Sequence, residues 1–506
     1  MTPPDATPRA LLSSIQHAFR EVVHLVRPHR LDVEVLVPSP GVDTSACAEA
    51  VSAAVRAHAA DLGIPVDPVV TVLPIVRRES DEPTFFIAGC PVRSPDGIAD
   101  ALAARSLPDA WSLPANPRWP EALETVFGLI LERDPRVLIA APQRDALVRR
   151  AREAGIGDYQ DTLVGAALQY VVAQGVSVAD LGPLAAALRK QNDVVQTAGE
   201  LAEVAIDALR PPAIEIRLGE PTLRRVTTRG ADPDAFVAMR RRLFTSLGVT
   251  FPDIAIVVAD VPDGTCALRL NHVVLGPRPL PDDATVSDLA SFAERALRRH
   301  ASWFVSLSDV QRTVEDLRLA LPELVGIVQE RHSYPRLALL ARALVEERVP
   351  VRNAARLMVL LLDVPSAGAG RDVVRLAEPL RGTGTDAGQC PRQLVSYARQ
   401  EIREEAARLA PGVVTFEAVR VSQDLDAALA ALPLWDGIVP TGLGHLEIAR
   451  LIELAQEQAR RPQPVLVTAT QHSRAVARSL LAGQFPEVDI VAANEYPPSY
   501  RQSAGG

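Results

Sequence analysis

Aromatic side chains are scarce in this 506-residue chain: 11 Phe, 6 Tyr and 4 Trp make up 4% of it, so any core has to be built from aliphatic residues. Cysteine is equally thin. Cys47, Cys90, Cys266 and Cys390 form no CxxC pair and have no neighbouring histidine cluster, which excludes a zinc knuckle or a disulfide framework and points to a reducing compartment. Long apolar runs are missing too. A bilayer span needs roughly 20 such residues, and the densest run, 357–362, is ended by Asp363. The start, MTPPDATPRALL, has neither the basic beginning nor the apolar stretch of a signal peptide. Positive charge is in deficit, with 53 Lys and Arg against 62 Asp and Glu and a net charge of -9. That balance opposes a nucleic-acid backbone or an anionic lipid surface as the main partner. A soluble cytoplasmic protein with no transmembrane segment is expected.

Signatures of chemistry are equally sparse. No G-x-S-x-G nucleophile elbow occurs. Gly442-Leu443-Gly444-His445 lacks the third glycine of a dinucleotide fingerprint and the Lys-Ser/Thr of a P-loop, so it reads as a turn before a helix over 446–455. Glu330 and His332 precede Ser333-Tyr334-Pro335 and read as solvated residues at a helix end, and His24 and His29 lack metal-binding neighbours. No catalytic residue, cofactor or metal is expected.

What is present is length, punctuation and periodicity. At 506 residues, with 42 prolines, the chain exceeds one hydrophobic core and divides into several folding units. Residues 1–10 read as loose and 10–26 as helical. Leu31, Val33, Val35 and Val37 alternate as in a half-buried strand. A helix over 46–62 follows, stopped by Gly63-Ile64-Pro65, and then strands over 69–76 and 84–87. From 120 to 209 the pattern is helical, with helices over 144–154, 162–173 and 178–189. Pro211-Pro212 breaks the chain, and a second α+β stretch opens with a strand over 214–218. It continues with a helix over 234–247, and with strands over 254–258 and 267–274 around a hairpin-like Pro262-Asp263-Gly264 turn. Helices over 308–328, 335–347 and 351–362 come next. Small-residue linkers occupy 365–370 and 381–388, and the last unit has strands over 465–467 and 488–491 enclosing a helix over 473–481.

These patterns predict an α+β and α/β multidomain fold. Its units are an N-terminal α+β unit (1–119), a helical unit (120–209), a second α+β unit (210–307), a helical domain (308–370) and a C-terminal α/β domain (371–506). The second pair of units repeats the first in order. Leu62-Gly63-Ile64 matches Leu247-Gly248-Val249, and 171–188 aligns without gaps on 344–361, keeping Val172, Val176, Val178, Leu184 and Leu188 apolar in both. An internal duplication is the expectation, against the plainer reading that any two amphipathic helix pairs look alike.

The stretch LARALVEERVPVRNAARLMVLLLDV, 340–364, resembles a helical segment of the FHIPEP family, the export-gate proteins of flagella and type III secretion systems. Arg348, Val349, Pro350, Val351 and Arg352 stand at the family's turn, with Asn353 where Asp is usual. FTSLGVTFPDIAIVVADVPDGTCALRLNHV before it, and PVLVTATQHSRAVARSLLAGQFPEVDIVAANEYPP near the end, agree in order, so the resemblance covers about 210–500. It implies a scaffold or adaptor rather than an enzyme, docking export chaperones, their cargo or export-apparatus proteins. It also implies assembly as a homo-oligomeric ring, held at the inner membrane only through partners. Two departures stand out: the family's membrane region has no counterpart here, and 274–301 is shorter than the family's docking-groove region. The alternative is an interaction module unconnected with secretion. As partner-contacting residues the sequence offers Asp260, Asp263 and Thr265 at the second turn, and Glu347, Arg348 and Arg352 at the helix connection, against the simpler reading of both as ordinary surface turns.

Overall fold

Alternation of Leu31, Val33, Val35 and Val37 buries every second side chain of β1 (Arg30–Val37), which places that strand inside a sheet. A computed structural model describes residues 29–38, 41–74, 83–88, 90–92, 118–157, 159–190, 197–210, 214–228, 234–347, 349–363, 418–431, 445–459, 465–481 and 488–495, with single positions between them. The helix expected over 10–26, both linkers and Gly442 to Gly444 lie outside the described residues. α1 (Thr44–Asp61) starts at Asp43, whose carboxylate accepts the N–H groups of Ser45 and Ala46. β1 forms a sheet of order β2-β1-β3-β4 with β2 (Asp67–Pro74), β3 (Thr84–Ile87) and β4 (Cys90–Val92). β2 runs parallel to β1, while β3 and β4 pair antiparallel. Helices α2 (Trp119–Arg133), α3 (Ala141–Glu153), α4 (Asp161–Ala173), α5 (Gly182–Lys190) and α6 (Ala198–Leu209) follow.

The second half repeats this plan. β5 (Ile214–Leu218), α7 (Glu220–Thr228), α8 (Ala235–Leu247), β6 (Ile254–Val258), β7 (Thr265–Leu270) and β8 (Val273–Pro279) give a sheet of order β6-β5-β7-β8. Here too one pair is parallel and the other two antiparallel, in the same places. α9 (Val286–Arg299), α10 (Leu307–Ala320), α11 (Pro322–Gln329), α12 (Tyr334–Glu346) and α13 (Ala354–Asp363) make the second helical layer.

A backbone contact shows the duplication atom by atom. The Val178 N–H donates to the Leu62 carbonyl at 2.9 Å, and the Val351 N–H donates to the Leu247 carbonyl at 2.9 Å. Gly63 (φ +70°) and Gly248 (φ +77°) follow those carbonyls in left-handed backbone. A Cβ on Gly63 would lie 2.3 Å from Ala179 N, and one on Gly248 would lie 2.2 Å from Arg352 N. Residues 178 and 351, like 179 and 352, are the pairs that the ungapped alignment of 171–188 on 344–361 puts together. Chance likeness of two amphipathic helix pairs does not reproduce this contact.

Three local expectations are corrected. The strand expected over 267–274 is two strands, because Asn271 takes a left-handed turn (φ +54°) and its buried amide donates to the Gln174 carbonyl at 3.0 Å. The helix expected over 308–328 breaks at Leu321, where Pro322 opens a new helix. The turn at 262–264 is no hairpin: β5, whose Ile214, Ile216 and Leu218 are all buried, takes the middle position between β6 and β7.

One continuous apolar core runs through both sheets and most of the helices. The halves are welded by polar contacts inside it. The His272 N–H donates to Gly175 O, and the Ser177 N–H donates to His272 Nδ1, both at 3.0 Å. Arg342 of α12 and Glu203 of α6, both with fully buried side chains, pair at 2.7 and 2.8 Å. The C-terminal unit is a parallel sheet of β9 (Ala418–Arg420), β10 (Val465–Thr468) and β11 (Asp489–Ala492), in order β11-β10-β9. It carries α14 (Gln423–Ala431), α15 (His445–Ala459) and α16 (Gln471–Leu481). β10, three apolar residues followed by Thr468, is buried at every position, as a central parallel strand should be. The fold is thus α+β in its two repeated parts and α/β at the C-terminal end.

Candidate functional site

α8 turns Ala235, Met239, Leu243 and Leu247 inward, a spacing of four that lays one stripe on the core. Phe244, one position off that stripe, stays 50% exposed. It stands at a cleft where α8, α10, α12 and α13 converge. Gly248 and Val249 come from the end of α8, Phe304 and Val305 from the 3-10 turn at Ala301–Phe304, and Val310 and Val314 from α10. Leu337, Leu340 and Leu344 of α12, with Leu357, Met358 and Leu361 of α13, add the rest of an aliphatic lining. The cavity measures about 170 Å³. Asp309 and Arg352 are the charged residues of its lining, with Ser306 and Thr313 adding hydroxyls. The Ser306 hydroxyl caps α10 by accepting the Asp309 N–H at 3.2 Å. Such a lining takes an apolar side chain and orients it by a few polar groups. Among the described residues no group of His, Cys, Asp and Glu could hold a metal ion, and no helix is long and apolar enough to cross a membrane.

Of the residues singled out from sequence, one lies in this cleft. Arg352 is exposed in its lining, and its Nη1 donates to the Thr245 carbonyl at 3.2 Å. Asp260 is exposed just past β6. Asp263, also exposed, accepts the Thr222 hydroxyl at 2.7 Å and the Gly264 N–H at 2.8 Å. Those hydrogen bonds, Thr222 first, hold its carboxyl below the ordinary value. Thr265 is not a surface residue: it is buried, and its hydroxyl closes the turn on the Pro262 carbonyl at 2.6 Å.

Glu347 also points inward, contrary to a surface reading of the helix connection. Its side chain is 1% exposed and meets Arg474 of α16 at 2.8 Å. Arg474 in turn lies 3.0 Å from Glu495, and Arg478 donates to the Glu346 carbonyl at 3.0 Å. Glu347 therefore anchors the C-terminal unit on α12, and no period or motif in its own segment announces that. Arg348 lies outside the described residues. His332 is buried rather than solvated, and burial followed by the nearby Arg336 and Arg331 pushes its imidazole down to about 4.

Sequence reasoning named none of the apolar cleft residues as a site. Phe244 is an apolar residue outside the inward stripe of its helix, but Val237 shares that feature and does not line the cleft.

Comparison with known proteins bears on this region. Residues 280–501 match the FHIPEP family. "Protein hrpC2" of Xanthomonas euvesicatoria is 31% identical over 189 residues, covering 34% of this chain and 29% of that protein. The "Hypersensitivity response secretion protein HrcV" of Ralstonia nicotianae is 29% identical over 216 residues, covering 33% of this chain and 31% of that protein. The aligned region thus spans about a third of the length of these curated relatives. Among solved structures, the Chlamydia pneumoniae CdsV protein matches 57% of this chain and 94% of its own, at 13% identity and a TM-score of 0.45. Nonameric EPEC SctV-C matches 57% and 95%, at 14% identity and a TM-score of 0.41. The match begins at 280 rather than near 210, so it takes in the helices and C-terminal sheet but not the second sheet's strands. Over residues 280–501, then, this chain is similar to the FHIPEP family.

Proposed function

We propose that this chain is a non-enzymatic scaffold of a type III-like protein secretion system, docking protein partners such as chaperone–cargo complexes or export-apparatus components. The observation that carries the reading is the apolar cleft between α8 and the second helical layer, lying partly within FHIPEP-family sequence. A cavity of about 170 Å³ with exposed Phe244 at its side suits one or two apolar anchor side chains of a partner. Binding by such anchors needs no reactive group, and the cleft's charged residues sit where they would set orientation. Cytoplasmic location, attachment to the inner membrane through partners, and assembly as a homo-oligomer belong to the same reading.

The test is affinity capture from the native organism with quantitative mass spectrometry, comparing the intact chain with Phe244→Glu and Thr313→Arg. Both positions are solvent-accessible, so circular dichroism should be unchanged. Secretion chaperones, cargo or apparatus proteins are expected with the intact chain, and their yield should fall at least about tenfold in each variant, as for loss of one anchor. A captured set without secretion proteins, or one indifferent to both substitutions, would count against the reading.

A further inference from the structure

The two repeated sheets carry the same edge strand in different states. In the first sheet β2 forms that edge, and of its core-side residues Pro68 and Val72 are buried, Val70 is half-buried and the terminal Pro74 is exposed. Pro68 and Pro74 sit near its two ends, where they remove ladder donors and discourage a further strand. In the second sheet β6 takes the equivalent place, parallel to the central strand. Here Ile256 and Val258, in register with buried Ile216 and Leu218 and so on the core-side face, are 36% and 59% exposed. The helices account for the difference: α1 packs against β2, whereas neither α7 nor α8 makes a comparable contact with β6. The apolar face of the second sheet therefore continues past its helical cover, beside an edge that carries no proline from Ile254 to Val258. Among the described residues no further strand pairs with that edge.

The charges around β6 say what kind of segment fits. Asp253 precedes the strand with its side chain 96% exposed although Arg240 reaches it, and Asp260, two residues past the strand's end, is exposed as well. A second copy of this chain pairing through β6 would bring acid against acid: Asp253 against Asp260 if antiparallel, like against like if parallel. An extended segment with an apolar middle and a basic residue at each end would instead meet opposite charge at both ends. We propose that β6 is a strand-addition site for such a segment of another protein, bound by main-chain hydrogen bonds along Ile254–Val258 and by apolar contact with Ile256 and Val258. This surface lies outside the family match and is independent of the cleft.

The probe is a fluorescein-labelled peptide, RTVTVTVR, whose arginines are spaced like Asp253 and Asp260, with ETVTVTVE as its charge-reversed control. Fluorescence anisotropy with the full chain should show saturable binding of the basic peptide, weaker by at least about fivefold for the acidic one, as two exposed charge contacts allow. The pair Asp253→Asn and Asp260→Asn should narrow that difference. The pair Ile256→Lys and Val258→Lys, at exposed positions, should abolish binding with circular dichroism unchanged. Amide hydrogen exchange should slow at 254–258 when the basic peptide is added. Equal binding of both peptides, no saturable binding, protection elsewhere, or self-association through β6 in sedimentation velocity would each overturn the proposal.

Discussion

Replacing Arg342 by leucine is expected to cost the fold about 3–5 kcal/mol, the usual penalty for stranding one member of a buried ion pair. Both side chains are fully buried, so no water can take over the lost contacts. Arg342 gives Nε and Nη2 to Glu203, Nη2 also to the Val305 carbonyl at 2.6 Å, and Nη1 to the Ser302 carbonyl and to Gln174 Oε1. Leucine would leave a carboxylate and several acceptors dehydrated and unpaired. In a urea titration followed by circular dichroism, the midpoint should fall accordingly. The double variant Arg342→Leu with Glu203→Leu should recover most of the loss, because an apolar pair of similar volume is often neutral against a buried ion pair. The recovery separates a stranded charge from general loss of packing. A double variant no more stable than the single one would show that Arg342 is needed for its carbonyl contacts instead. Since α6 carries Glu203 and α12 carries Arg342, the single variant should also loosen the two repeated halves together.

Acid should destabilise the protein well above the ordinary carboxylate range, and His300 is the main named cause. It is buried against Trp303, with ring centroids 4.3 Å apart, and burial, then Arg299 and Arg133, push its imidazole down to about 3. In the unfolded chain the ring would take up a proton near the usual histidine value of about 6.5. Between those values the unfolded state binds a proton that the folded state refuses. The stabilisation from keeping His300 neutral is therefore whole above about pH 6.5 and declines as pH falls toward 3. At pH 4.5 this one group should have removed roughly 2–3 kcal/mol. His332, pushed down to about 4, acts in the same direction. Urea midpoints at pH 7.5 and 4.5 measure the loss. His300→Gln should be less stable at neutral pH yet lose distinctly less on acidification; an unchanged pH difference would assign the acid sensitivity to other groups.

Much of the architecture was legible because it rests on local rules. Strands over 84–87, 214–218 and 254–258 were read with the bounds they have, since short β-branched runs between turn residues leave little choice. The recurrence of Leu-Gly around residues 63 and 248 was legible because only glycine accepts left-handed backbone pressed against another chain segment. Illegible were breaks whose cause lies far away. The turn at Asn271 depends on the Gln174 carbonyl 97 positions earlier, and no pattern around 271 reveals it. Of the candidate site, Arg352 was found because a charge beside a short connection is a local feature. The cleft around it was not, because its lining is drawn from ordinary core-facing positions of separate helices.

By itself the sequence determined the order of most strands and helices, the landmarks that recur in the two halves, and the aliphatic, aromatic-poor character of the chain. Those follow from side-chain period, glycine and proline punctuation, and composition, which act within a few residues. Only tertiary structure decided that β5 lies central and β6 at an uncovered edge, that Glu347 faces Arg474 across 127 positions, and that α8, α10, α12 and α13 converge on a cleft. Burial of a charge or exposure of an apolar face depends on how far a neighbouring element reaches, and that distance is written in no single segment.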